Sequence, residues 1–261
     1  MKRLMPAVAF AAATLCLDAS DRSQNRNAVD SSPEKECVFF VGAHPDDTEG
    51  FAATAFLLRE KYEIHVIDLT RGELGLGMKG FKDGSTAKRR VAEETQACAY
   101  LGAKLHFLDE IDGFAYASRK AVDNLVALIR KFKPVAIFTH WPVDMHSDHV
   151  QTAAVTRRAV NETNWKGEYY FFEVLRSQTK NFRALYSVDV SKTIDCKAKM
   201  LSKYVCQNSG GSLVREKLAQ AGDRGAQRVP ACSAAEVFTT YDGERIKNGV
   251  LERLPETVVV R

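Results

Sequence analysis

The chain has 261 residues, 45% of them apolar and 27% charged, with a net charge of +4. That is the composition of an ordinary globular protein, long enough for one large domain or two small ones. Lys and Arg are scattered and nearly balanced by Asp and Glu, so no basic face for nucleic acid is expected.

The N-terminus opens on basic Met1-Lys2-Arg3 and an alanine-rich apolar run from Leu4 to Leu17. The run is shorter than the roughly 20 residues that span a bilayer. Ala19 offers a small residue for cleavage, so residues 1–19 read as a secretory signal peptide. An uncleaved N-terminal membrane anchor is the alternative. A lipoprotein cysteine at Cys16 is disfavoured by the bulky Leu15 before it. Residues 20–36 are polar and read as a disordered linker. The expected location is therefore secreted or periplasmic, with no stable membrane span once the leader is removed. Beyond Cys16 the cysteines are Cys37, Cys98, Cys196, Cys206 and Cys232. The odd number argues against a disulfide-built fold, and the lack of a C-x-x-C pair argues against a thiolate zinc site. Buried free thiols are expected, with Cys206–Cys232 as the one pairing considered for a bridge.

From residue 37 onward, strands and helices alternate. Residues 37–43 form a continuous apolar run, as a fully buried strand does. A helix follows over 51–61 and a strand over 63–69. Residues 70–85 are glycine-rich and aperiodic, and long loops of this kind in compact domains are often functional. A helix over 85–101 has Ser85 or Thr86 as its cap and Gly102 as its stop. Then come a strand over 104–108, an amphipathic helix over 118–132, a strand over 135–139 and a helix over 150–160. Strands at 169–174 and 185–190, helices at 194–205 and 209–222, and a short element at 234–238 complete the chain. Strands alternating with helices predict an α/β fold: a doubly wound, mostly parallel, Rossmann-like sheet with helices on both faces. Residues 37–261 read as one domain.

Two chemical clusters follow two of these strands. His44-Pro45-Asp46-Asp47 lies after the first, and His146-Ser147-Asp148-His149 after the fourth. Parallel strands share one carboxyl edge, so the clusters can meet although about a hundred residues separate them. Two His and a carboxylate make a hydrolytic metal set with a position left open. A second carboxylate can then serve as general base, and a third His as acid or oxyanion donor.

The paired motifs resemble those of the PIG-L/LmbE family of zinc-dependent N-acetylglucosamine deacetylases. So do Leu69-Thr70-Arg71-Gly72-Glu73-Leu74-Gly75, Arg89-Arg90-x-x-Glu93, Asp112-Gly113-Phe114, Val188-Asp189-Val190-Ser191, Lys197 and Gln207. The likeness spans about residues 37–245. It implies that His44, Asp47 and His149 bind Zn2+, with Fe2+ as the other candidate. It implies that Asp46 is the general base for the attacking water. His146 would then stabilise the oxyanion or protonate the amine, oriented by Asp148, and Arg71 would contact substrate hydroxyls. Thr48 intervenes between the Asp pair and Glu49, an offset shared with a branch similar to the bacillithiol-pathway deacetylases. Ala52-Ala53-Thr54 stands where Gly-Gly-Thr is usual, and Cys206-Gln207 where Ser-Gln is usual. With a leader, the expected substrate is an extracytoplasmic sugar or glycan carrying N-acetylglucosamine; a homo-oligomer is compatible with this.

Rival readings are a metal amidase acting on a non-sugar N-acyl substrate and a non-catalytic secreted carbohydrate-binding protein. Gly75-x-Gly77-x-x-Gly80 matches a dinucleotide fingerprint only formally, because the chain stays in loop after Gly80. No G-x-S-x-G elbow is present for a serine hydrolase.

Overall fold

The computed structural model describes residues 35–78 and 80–260. The proposed leader and nearly all of the linker lie outside the described residues. In chain order the elements are β1 (Cys37–Gly42), α1 (Ala52–Leu58), β2 (Glu63–Thr70), β3 (Gly75–Met78), α2 (Ser85–Leu101), β4 (Lys104–Glu110), α3 (Arg119–Phe132) and β5 (Ala136–His140). They continue with α4 (Ser147–Thr163), β6 (Glu168–Phe172), β7 (Tyr186–Asp189), α5 (Ile194–Leu201), α6 (Ser212–Gln227), β8 (Ala235–Thr239) and β9 (Thr257–Val259).

Eight strands form a sheet in the order β4-β2-β1-β5-β6-β8-β7-β9. The first five in that order run parallel. The last three join antiparallel at one side. The expected doubly wound α/β sheet is therefore what the chain builds. β1 is central and buried at every position, which is why it is apolar throughout rather than alternating. Its odd and even residues serve different cores. Val38 and Phe40 pack with residues of α1, α2 and α5. Phe39 and Val41 pack with residues of α3 and α4. Rings from successive strands stack across the first face: Phe40 on Phe138 at 4.6 Å and Phe138 on Tyr170 at 4.8 Å.

Local chemistry sets the helix ends. Ser118 caps α3 by accepting the Ala121 N–H at 3.0 Å, and Ala121, Val122, Leu125, Val126 and Ile129 form its buried stripe. α2 ends at Gly102, whose φ of 78° suits glycine. Its N-cap is Gly84 in a left-handed conformation, not Ser85 or Thr86. α4 starts at Ser147, three residues earlier than expected, because His146 caps it. β3 falls inside the expected long loop, and β9 is an element the sequence pattern did not show. Cys206 and Cys232 are free thiols rather than a bridge. Cys206 is engaged through its N–H and Sγ by Glu93, and Cys232 bonds the Ala234 carbonyl. Cys37 and Cys98 are buried free thiols. Among the described residues no helix is long and apolar enough to cross a membrane.

Candidate active site

The carboxyl ends of β1 and β5 lie side by side and carry the two clusters. Beyond β1 the chain turns back on itself, so that Asp47 accepts the N–H groups of Ala43 at 2.7 Å and His44 at 2.9 Å. The return packs tightly on Gly42, where a Cβ would meet the Asp47 Cβ at 3.0 Å. A 3-10 turn, Asp47–Gly50, follows. Asp46 precedes it with a φ of 108°, in the left-handed region.

Asp47 is the hub. Its Oδ2 is 2.9 Å from His140 Nε2 and 3.7 Å from His44 Nδ1, while its Oδ1 is 3.6 Å from His149 Nε2. Burial works against its charge, but His140 and His149 hold its carboxyl well below the usual carboxylate range. His149 donates through Nδ1 to Asp144 at 3.1 Å, which leaves Nε2 facing Asp47. Asp144 is fixed in turn by the His146 N–H at 2.8 Å and the Thr179 hydroxyl at 2.8 Å. His140 stacks on His149 with centroids 4.1 Å apart.

His44 is surrounded by carboxylates. Its Nε2 lies 3.1 Å from Asp148 and 3.3 Å from Asp112. Burial disfavours its charged form, yet Asp112 and Asp148 raise it to about 10. The site therefore favours positive charge at this point. Among the described residues three groups of side chains each bring their ligand atoms within 4.8 Å of one another: His44, His146 and His149; Asp47, His140 and His149; and His44, Asp112 and Asp148. Buried imidazoles sharing one ionised carboxylate in a negative field suit a borderline divalent cation. The residues present thus fit a metal.

The other aspartate has different company. The Asp46 carboxylate takes the Arg90 guanidinium at 2.6 Å. Burial raises its pKa, and Arg90 opposes that rise. Arg90 also bonds the Pro45 carbonyl. The glycine-rich loop wraps this arginine: a Cβ at Gly72 would fall 2.6 Å from its Nε, and one at Gly75 would clash with the same group. A cavity of about 450 Å³ opens over Asp46, Asp47, His44, His146 and His149, walled by Arg90, Asp112, Leu213 and Lys217 among others.

Two expected roles change. Asp148 does not orient the His146 side chain; its buried carboxylate binds His44 and the Gly113 N–H at 2.7 Å. His146 is held instead through Nδ1, which accepts the Asp148 N–H at 3.3 Å. Arg71 does not face the cavity. It pairs with Asp109 at 2.6 Å and lies over the Phe107 ring, and Arg90 is the arginine at the site. His140, Asp144, Arg90 and Asp112 join the site without having been assigned roles in it. Asp144 stood in the same strand-to-helix stretch as His149, and Arg90 and Asp112 stood in the family-like motifs, so these three carried a usable signal.

The profile of one family, PIG-L: GlcNAc-PI de-N-acetylase, matches residues 39–160. A 1D-myo-inositol 2-acetamido-2-deoxy-alpha-D-glucopyranoside deacetylase from Mycolicibacterium smegmatis is 30% identical over 194 residues, which is 60% of this chain and 67% of that protein. Among solved structures, the 4-carboxy-2-hydroxymuconate hydratase from Pseudomonas putida aligns with a TM-score of 0.68 at 21% identity, over 82% of this chain and 99% of its own. N,N'-diacetylchitobiose deacetylase from Pyrococcus horikoshii aligns at 0.64 and 20% identity, over 78% and 82%. These two likenesses establish the fold. One is a hydratase and the other a deacetylase, so the side chains must decide the chemistry.

Proposed function

The chain belongs to the PIG-L family, and on that footing we propose that it is a metal-dependent hydrolase removing the N-acetyl group from an N-acetylglucosamine-type sugar or glycoconjugate. The observation that carries this reading is the division of labour between adjacent aspartates. Asp47 is committed to the histidine cluster, while Asp46 faces the cavity with its pKa raised. Two carboxyls driven apart by their surroundings mark a pair with separate roles.

Zinc is the ion we propose, held by His44, Asp47 and His149, with iron(II) compatible with the same donors. When bound, such an ion polarises the amide carbonyl and makes water more acidic. Asp46 accepts the proton of the attacking water, and a raised pKa makes it a better acceptor at neutral pH. His146 supplies a hydrogen bond to the developing oxyanion. Its Nδ1 is occupied as an acceptor, so the neutral ring carries its proton on Nε2. Burial and the neighbouring His44 and His149 hold its pKa down, which keeps it neutral. Arg90 keeps the Asp46 carboxylate in place. The C–N bond then breaks as the proton held by Asp46 passes to the departing nitrogen, giving acetate and a free amine.

The basic and apolar start, Met1 to Leu17, supports a secreted or periplasmic site of action. An acetate-release screen of the zinc-loaded protein tests the function. The expected result is release from at least one N-acetylglucosamine conjugate, with free amine appearing in equal amount. Release from N-acyl amino acids alone would favour a general metal amidase instead.

A further inference from the structure

Beneath Asp46 lies a buried polar group that the reaction as described does not use. Glu94, on α2, is fully buried. Its Oε2 accepts the backbone N–H of Asp46 at 3.1 Å. Its Oε1 takes the Cys98 thiol at 3.2 Å. The Tyr204 hydroxyl also bonds it, and that hydroxyl is 2.6 Å from Thr48 Oγ1. Glu94 is therefore held from behind while it holds Asp46 in front.

Asp46 needs holding. Its φ of 108° is one that a residue with a Cβ keeps only when its surroundings impose it. Its side chain makes no capping bond of its own to the turn that follows. Arg90 and Glu94 are four residues apart on α2 and so share one helix face. Arg90 grips the carboxylate of Asp46, and Glu94 grips its backbone.

We propose that Glu94 is a positioning residue for Asp46: its hydrogen bond to the Asp46 N–H holds the strained backbone that aims the Asp46 carboxylate into the cavity. The inference rests on Asp46 being the base. It assigns to Glu94 a role in geometry, through hydrogen-bond reach rather than charge. A shift of about 1 Å in a reacting group can cost on the order of 100-fold in rate.

Two conservative variants separate reach from charge. Glu94→Gln keeps the length and an acceptor oxygen but loses the charge. Glu94→Asp keeps the charge but is one methylene too short to reach Asp46. With metal content and KM measured alongside, Glu94→Gln should keep kcat within about threefold. Glu94→Asp should lose about tenfold or more in kcat, with metal content and KM unchanged. Amide hydrogen exchange supplies a readout independent of turnover. The Asp46 amide should be protected in the wild type and in Glu94→Gln, and should exchange about tenfold faster in Glu94→Asp. The reverse order of the two variants would overturn the proposal, as would wild-type kcat and exchange in Glu94→Asp. Loss of metal or of the fold in Glu94→Asp would also overturn it, by making Glu94 a general structural residue. If the wild type releases no acetate from any substrate, the functional reading has failed, and the exchange rates alone decide the role of Glu94.

Discussion

Asp46 and Asp47 have the same intrinsic acidity, and their partners drive them apart. Imidazoles of His140 and His149 keep Asp47 ionised, while burial lifts Asp46 against the pull of Arg90. The same logic makes Asp144 important although it does not face the cavity. By accepting from His149 Nδ1 it fixes the ring so that Nε2 points at Asp47. Asp144→Asn should weaken metal binding by about 10- to 100-fold and leave the fold intact, as read by competition with a chelator. Unchanged affinity would show that the ring is oriented by its stack on His140 alone. The residues His44, Asp47, His146 and His149 were legible in the sequence because they sit just past apolar runs, where sheet ligands gather. Arg90 was visible as part of the family-like helix motif but without a role, and Glu94 carried no signal, because both lie inside a helix and one of its turns looks like another. Arg71 misled because it stands in the glycine-rich loop, yet that loop closes around Arg90 and leaves Arg71 paired with Asp109.

At the scale of elements, α6 is fastened to the site by an ion pair. Lys217 is 2% exposed and Glu49 is 7% exposed, and their charged atoms are 2.7 Å apart. The same ammonium bonds the Val174 carbonyl at 3.1 Å. Burial already raises Glu49 to about 7 against the pull of Lys217, so without that partner it takes up a proton and is left as an unpaired buried acid, which costs about 1–3 kcal/mol. Lys217→Met should therefore destabilise the fold by about that amount in denaturant unfolding, and adding Glu49→Leu should recover most of it. If Lys217→Met unfolds like the wild type, α6 is held by its apolar contacts instead. The parallel strands and the helices between them were legible because each is a long run of one period. The antiparallel side was harder to read. β9 is three residues long and only half-buried, and a run that short has no period to detect.

For the whole molecule, the fold admits both a hydratase and a deacetylase, so its stability and its chemistry are tested separately. His106, on β4, makes the stability depend on pH. Burial, then the positive fields of His65, Lys131 and Lys104, push it down to about 4. An unfolded histidine titrates near 6.5. Between those values the unfolded chain takes up a proton that the folded one refuses, so stability is full above about pH 6.5 and falls as pH drops toward 4. His106→Gln should reduce that loss by about 1 kcal/mol, allowing for partial exposure. An unchanged pH slope would show that other groups set the acid sensitivity. The central claim is that one aspartate serves the metal site and its neighbour serves the water. It is tested by measuring bound metal and acetate release together in the wild type, Asp46→Asn and His149→Ala. Asp46→Asn should keep its metal while turnover falls by about 100-fold or more, and His149→Ala should lose both. An Asp46→Asn protein that turns over like the wild type, or that loses its metal, would contradict it.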